Sequence, residues 1–105
     1  MQTKEVTLIQ ATIDHGRIIF DRSDEGFFPP DSLGDRASSG KEGVPVVFRA
    51  GEFVYESDIR ISSGNRLSPR RSFARFLKSV GARAGDALRV TRIAHREYRV
   101  EHWRG

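Results

Sequence analysis

Val44-Pro45-Val46-Val47-Phe48-Arg49 and Phe53-Val54-Tyr55-Glu56-Ser57-Asp58-Ile59-Arg60-Ile61 flank a tight Ala50-Gly51-Glu52 turn. Two β-branched and aromatic runs joined this closely predict a hairpin. A hairpin is not stable alone, so the remaining segments must supply partner strands and a shared core. Val6–Ile13 reads as a strand, followed by turn chemistry at Asp14-His15-Gly16 and a second strand over Arg17–Phe20. From Asp21 to Gly43 the chain is polar and rich in Gly, Ser and Pro. The apolar island Phe27–Leu33 inside it is expected to pin a short helix or turn to the core. Two closing strands are expected at Ala87–Ile93 and Tyr98–Trp103.

The clearest helix is expected over Ser68–Val80. Ser68 suits an N-cap and Pro69 the first helical position, and Phe73, Phe76, Leu77 and Val80 fall on one stripe. Gly81 is placed to end it. About six to seven short strands and one or two helices, mostly joined by short turns, predict a mainly β, open antiparallel pseudobarrel. Residues 1–105 are expected to form one domain.

Charge narrows the function. Residues 1–52 carry a net −3 and residues 53–105 a net +7, and 15 of the 18 basic residues are Arg. Between residues 57 and 78 there are six basic residues and one acid, Asp58. Such a block suits a polyanion, although a solvated basic face or a genome rich in Arg codons produces the same pattern. There is no cysteine and no apolar run long enough to span a membrane. No membrane partner is expected, and an intracellular location fits: cytoplasm or nucleoid in a bacterium, nucleus in a plant.

Arg70 and Arg71 fall at the second and third positions of the expected helix, where cations oppose the macrodipole. With Ser68 and the helix amides they compose a candidate phosphate site. The plainer alternative pairs them with Asp58 or Glu56. Before the helix, Arg60, Ser62, Ser63, Asn65 and Arg66 present side chains suited to base edges and phosphates, on what is otherwise an ordinary polar turn.

Arg66-Leu67-Ser68, Ser72–Lys78 and Ala82–Val90, with Gly85-Asp86 ahead of a strand, resemble the end of a plant-type B3 DNA-binding domain. Gly16–Phe20 followed by Phe27-Phe28-Pro29 looks like that family's early strand and its Phe-Pro. The resemblance covers roughly residues 6–93 and extends to the B3-like effector domains of bacterial restriction endonucleases. It implies sequence-specific binding of double-stranded DNA by two arms in the major groove. The first arm would be the Thr12–Arg17 turn, with Asp14, His15 and Arg17; the second would be the Arg60–Arg66 turn. It also implies a target-recognition module of a restriction enzyme or a regulator, with a nuclease domain in the same or a partner chain. As an isolated domain it is expected to be a monomer. The first arm is shorter than in plant members, Asp21-Arg22 replaces a Pro-Lys, and Phe73 stands where the family has Trp.

An enzyme is the first rival. Asp21, Asp24, Glu25, Asp31 and Asp35 show no metal-binding spacing, and His15, His95 and His102 form no ligand pattern. No catalytic residue, metal or cofactor is expected. A protein-interaction barrel is the second rival, with Phe53, Tyr55, Tyr98 and Trp103 as patch candidates more simply assigned to the core. An RNA or single-strand binder would place stacking aromatics among the cations, and none lies between Arg60 and Arg71.

Overall fold

The computed structural model describes residues 2–34, 42–62 and 66–104. Among the described residues, nine strands appear in chain order: β1 Thr3–Thr7, β2 Phe20–Asp21, β3 Leu33–Gly34, β4 Val46–Ala50, β5 Phe53–Ser57, β6 Ile59–Ser62, β7 Arg66–Pro69, β8 Ala87–Ala94 and β9 Glu97–Trp103. Two short helices are α1, Gln10–His15, and α2, Ala74–Ser79. Single 3-10 turns occupy Arg22–Phe27 and Pro30–Ser32.

The expected hairpin is present: Ala50 pairs with Phe53 and Val46 with Ser57 across the Gly51-Glu52 turn, with Gly51 at φ 60°. Its second strand does not run on to Ile61. It breaks at Asp58, where the chain leaves one sheet and enters another. One sheet has the order β1-β8-β9-β4-β5 and the other β2-β7-β6-β3. Most pairings are antiparallel, but β4 with β9 and β3 with β6 are parallel. The architecture is therefore an open pseudobarrel of two mixed sheets, not an all-antiparallel one.

A chain of rings joins the two sheets. Phe27, Phe28, Phe48, Phe73 and Tyr98 are all buried, with Phe28–Tyr98, Phe48–Tyr98 and Phe48–Phe73 centroids 5.4, 5.3 and 5.4 Å apart. The Tyr98 hydroxyl donates to the Phe27 carbonyl at 2.6 Å, and burial pushes its pKa up to about 12. The Phe27-Phe28 island pins the polar segment as expected.

Three expected element boundaries are corrected. The first strand ends at Thr7, because Leu8 closes against the turn before β8: its N–H reaches the Asp86 carbonyl and its carbonyl accepts from Gly85. Beyond it, Leu8, Thr12 and Ile13 turn inward at helical spacing, and the chain forms α1 where a strand was expected. Within Arg17–Phe20, only Phe20 joins a strand, continuing into Asp21. The expected Ser68–Val80 helix is shortened to Ala74–Ser79. Ser68 and Pro69 belong to β7, paired with Arg60 and Ile59, so ladder bonds override the capping signal. The stripe itself holds: Phe73, Phe76 and Leu77 are buried and Arg75 and Lys78 are exposed.

Candidate nucleic-acid interface

The β6–β7 ladder sorts its residues by alternation. Ile59, Ile61, Leu67 and Pro69 share the core side; Arg60, Arg66 and Ser68 share the other. Register sets Arg60 beside Ser68 and Ser62 beside Arg66. Neighbouring strands add Gly34 next to Arg60 and Asp21 next to Arg66. Ser63 and Asn65 lie outside the described residues. Arg66 is exposed. Arg60 is half-buried, and its Nε is enclosed without a hydrogen-bond partner among the described residues. Ser68 is buried, so it offers little to a ligand.

Asp14 and His15, expected on a turn, are the last two residues of α1. Asp14 accepts a hydrogen bond from Gln10 at 2.9 Å. Gly16 ends the helix at φ 69°, a conformation other residues reach only with strain. A Cβ there would collide with Ser72 and Ala74. That close approach lets the His15 carbonyl accept from the Ser72 hydroxyl and the Gly16 carbonyl accept from the Phe73 N–H at 2.7 Å. Arg17 follows, exposed. Because β2 runs antiparallel to β7, Arg17 lies at the opposite end of this sheet from Asp21 and Arg66. Four residues of extended chain span at most about 14 Å.

The expected phosphate site at a helix start is overturned. Arg70 and Arg71 precede α2 by several residues and contribute nothing to its first turn. Arg70 instead grips Asp58 with two bonds, Nε to Oδ1 at 2.8 Å and Nη2 to Oδ2 at 3.0 Å. The Gly43 N–H donates to the same Oδ2 at 2.9 Å. Burial alone would raise the Asp58 pKa, but the Arg70 guanidinium and the Gly43 N–H outweigh it and hold the carboxyl below its usual value. Gly34 completes the clasp, since a Cβ there would fall on Asp58 Oδ2 and 2.8 Å from the Gly43 nitrogen. The plainer alternative, pairing with Asp58, therefore holds for Arg70. Arg71 donates its backbone N–H to Ser57 Oγ, and its side chain has no carboxylate partner among the described residues.

Charge compensation differs across the molecule. Around β1, β4, β8 and β9, cations meet carboxylates: Arg89 with Glu5, Arg49 with Glu97, Arg99 with Glu101 and Lys4 with Asp24. Such exposed pairs add little stability, yet they cancel local charge. Among the described residues, Arg17, Arg60, Arg71, Arg75 and Lys78 have no such partner; nor do Arg83 on the turn before β8, Arg92 on β8, which bonds His95 instead, and Arg104, which reaches the Val80 carbonyl. No group of three or more His, Asp or Glu among the described residues is placed to hold a metal ion. Asp86, read from the sequence as a turn acceptor, takes the Arg83 N–H at 3.0 Å. It also meets His102 Nε2 at 2.7 Å, a partner 16 residues away that no local pattern signals.

No protein-family model and no curated relative matches the sequence. Solved structures do. The Arabidopsis FUS3–DNA complex, a B3 domain, superposes with a TM-score of 0.67 at 18% identity, covering 97% of this chain and 96% of that one. A hypothetical Arabidopsis thaliana protein gives 0.64 at 11% identity, covering 97% of this chain and 89% of the other. The fold is B3-like.

Proposed function

We propose that this chain binds duplex DNA through the outer side of the β2-β7-β6-β3 sheet, with α1 at one end and the β6–β7 hairpin at the other. The observation that carries the reading is the uneven compensation of charge. Among the described residues, Arg17 and Arg60 on this side lack carboxylate partners, while on the opposite sheet Lys4, Arg49, Arg89 and Arg99 each have one and only Arg92 does not. The structurally similar FUS3 was solved bound to DNA, which supports the same partner class here.

In this reading Arg60 and Arg66 read base edges from the hairpin, and Ser62, Ser63 and Asn65 are the further candidates that the family resemblance names. Asp14, His15 and Arg17 approach from the first arm. Ser68 and Arg70 are structural. The chain is a non-catalytic recognition module, of a restriction enzyme or of a transcription regulator.

Titration of labelled random duplexes at two salt concentrations tests this. Log K is expected to fall by about 0.9 per phosphate neutralised for each decade of salt. On a duplex enriched from that pool, Arg60→Ala or Arg66→Ala should each cost about 1–3 kcal/mol of discrimination. Absence of binding at low salt, or tighter binding to single strands, would overturn the proposal.

A further inference from the structure

β5 is the last strand of its sheet, hydrogen-bonded on one side only. Ala50 and Phe53 close a two-residue hairpin loop as its bonded pair, so Val54 and Glu56 direct their backbone N–H and C=O groups away from β4. Edge strands normally carry proline, lysine or a bulge against unwanted pairing. The opposite edge, β1, has charged Lys4 and Glu5 tied to Asp24 and Arg89. β5 has no proline, no lysine and no register shift, and Val54 is 56% exposed.

A crevice of about 490 Å³ runs along this edge. Its floor is the stacked pair Phe53 and Tyr55, 6.1 Å apart, and its far wall carries Arg71 and Arg75. Neither arginine has a carboxylate partner among the described residues. We propose that this crevice docks an extended acidic peptide segment, which adds to β5 as a further strand. Its main chain pairs with Val54 and Glu56, an apolar side chain covers the half-buried Phe53 ring, and carboxylates meet Arg71 and Arg75. A phosphodiester strand would use the two cations but leave the outward N–H groups and the apolar floor unused, which is why a peptide fits better than more DNA. The site is independent of the DNA reading and stands or falls without it.

The probe is a capped heptapeptide, Glu-Thr-Val-Thr-Glu-Thr-Val, whose glutamates and valines share one strand face, titrated into the ¹⁵N-labelled chain. The Val54 and Glu56 amide signals should shift most. The Arg71→Ala, Arg75→Ala double variant should weaken the peptide by about tenfold, the loss of two charge-assisted contacts. A peptide N-methylated at alternate residues, unable to pair with an edge, should not bind. Equal binding of the methylated peptide, or shifts centred on α1 and the β6–β7 hairpin, would overturn the proposal. So would a double variant that loses duplex DNA affinity and keeps the peptide, since the crevice would then belong to DNA.

Discussion

Single residues here divide into those that hold the fold and those left unsatisfied. Asp58 is the clearest of the first kind. Its carboxylate takes both prongs of Arg70 and the Gly43 N–H at the corner where the chain passes between sheets. Asp58→Asn leaves a half-buried cation without its counter-charge and should cost about 3 kcal/mol near neutral pH, read by urea denaturation. Because folding lowers this pKa, the contribution is complete above the ordinary value of 3.8 and is lost as pH falls through the lower folded value. Variant and wild type should therefore converge in stability in acid. Tyr55 is of the second kind: its hydroxyl is buried without a partner among the described residues. Tyr55→Phe should raise the unfolding midpoint, by about 1 kcal/mol in stability, since an unmet polar group is removed and the ring is kept.

At the scale of elements, the sequence is legible where periodicity is unambiguous. The β4–β5 hairpin, the β8 and β9 strands and the buried stripe of α2 follow from residue type and spacing alone. Three things do not. Ser68-Pro69 carries a valid capping signal, but Ile59 and Arg60 offer it ladder bonds, and no local rule weighs one against the other. Val6–Ile13 is β-branched throughout, yet Leu8 is held by Gly85 and Asp86 across the whole chain length, which frees the residues after it to turn helical. The clasp at Asp58 depends on Gly34 and Gly43, which are distant in sequence from Arg70. The candidate interface was legible in part for the same reason. Arg60 and Arg66 fall on one turn that residue type announces, whereas the β6–β7 pairing behind it and the placement of Asp14 and His15 on a helix end depend on distant contacts, the latter with Ser72 and Phe73. Gly16→Ala tests that placement. A side chain at positive φ colliding with Ser72 and Ala74 should destabilise the fold by about 1–3 kcal/mol. It should also move the amide signals of both helices, which thermal melts and amide spectra would register.

For the whole molecule, the pairing of β1 with β8 carries the largest consequence. Thr3 lies opposite Thr91 and Thr7 opposite Ala87, and β1 has no other strand neighbour. β4 likewise reaches β9 in parallel, which a tight turn cannot provide. Topologies dominated by such distant pairings fold in milliseconds to seconds, because loop closure costs entropy before any contact repays it. Stopped-flow refolding should give a rate in that range, and should slow little when β5 is altered, since its hairpin is local. During synthesis at the ribosome, the first strand therefore waits for its partner until most of the chain has emerged, and nascent forms stopped before Ala87 would present β1 unpaired to the proteases and chaperones of the cell.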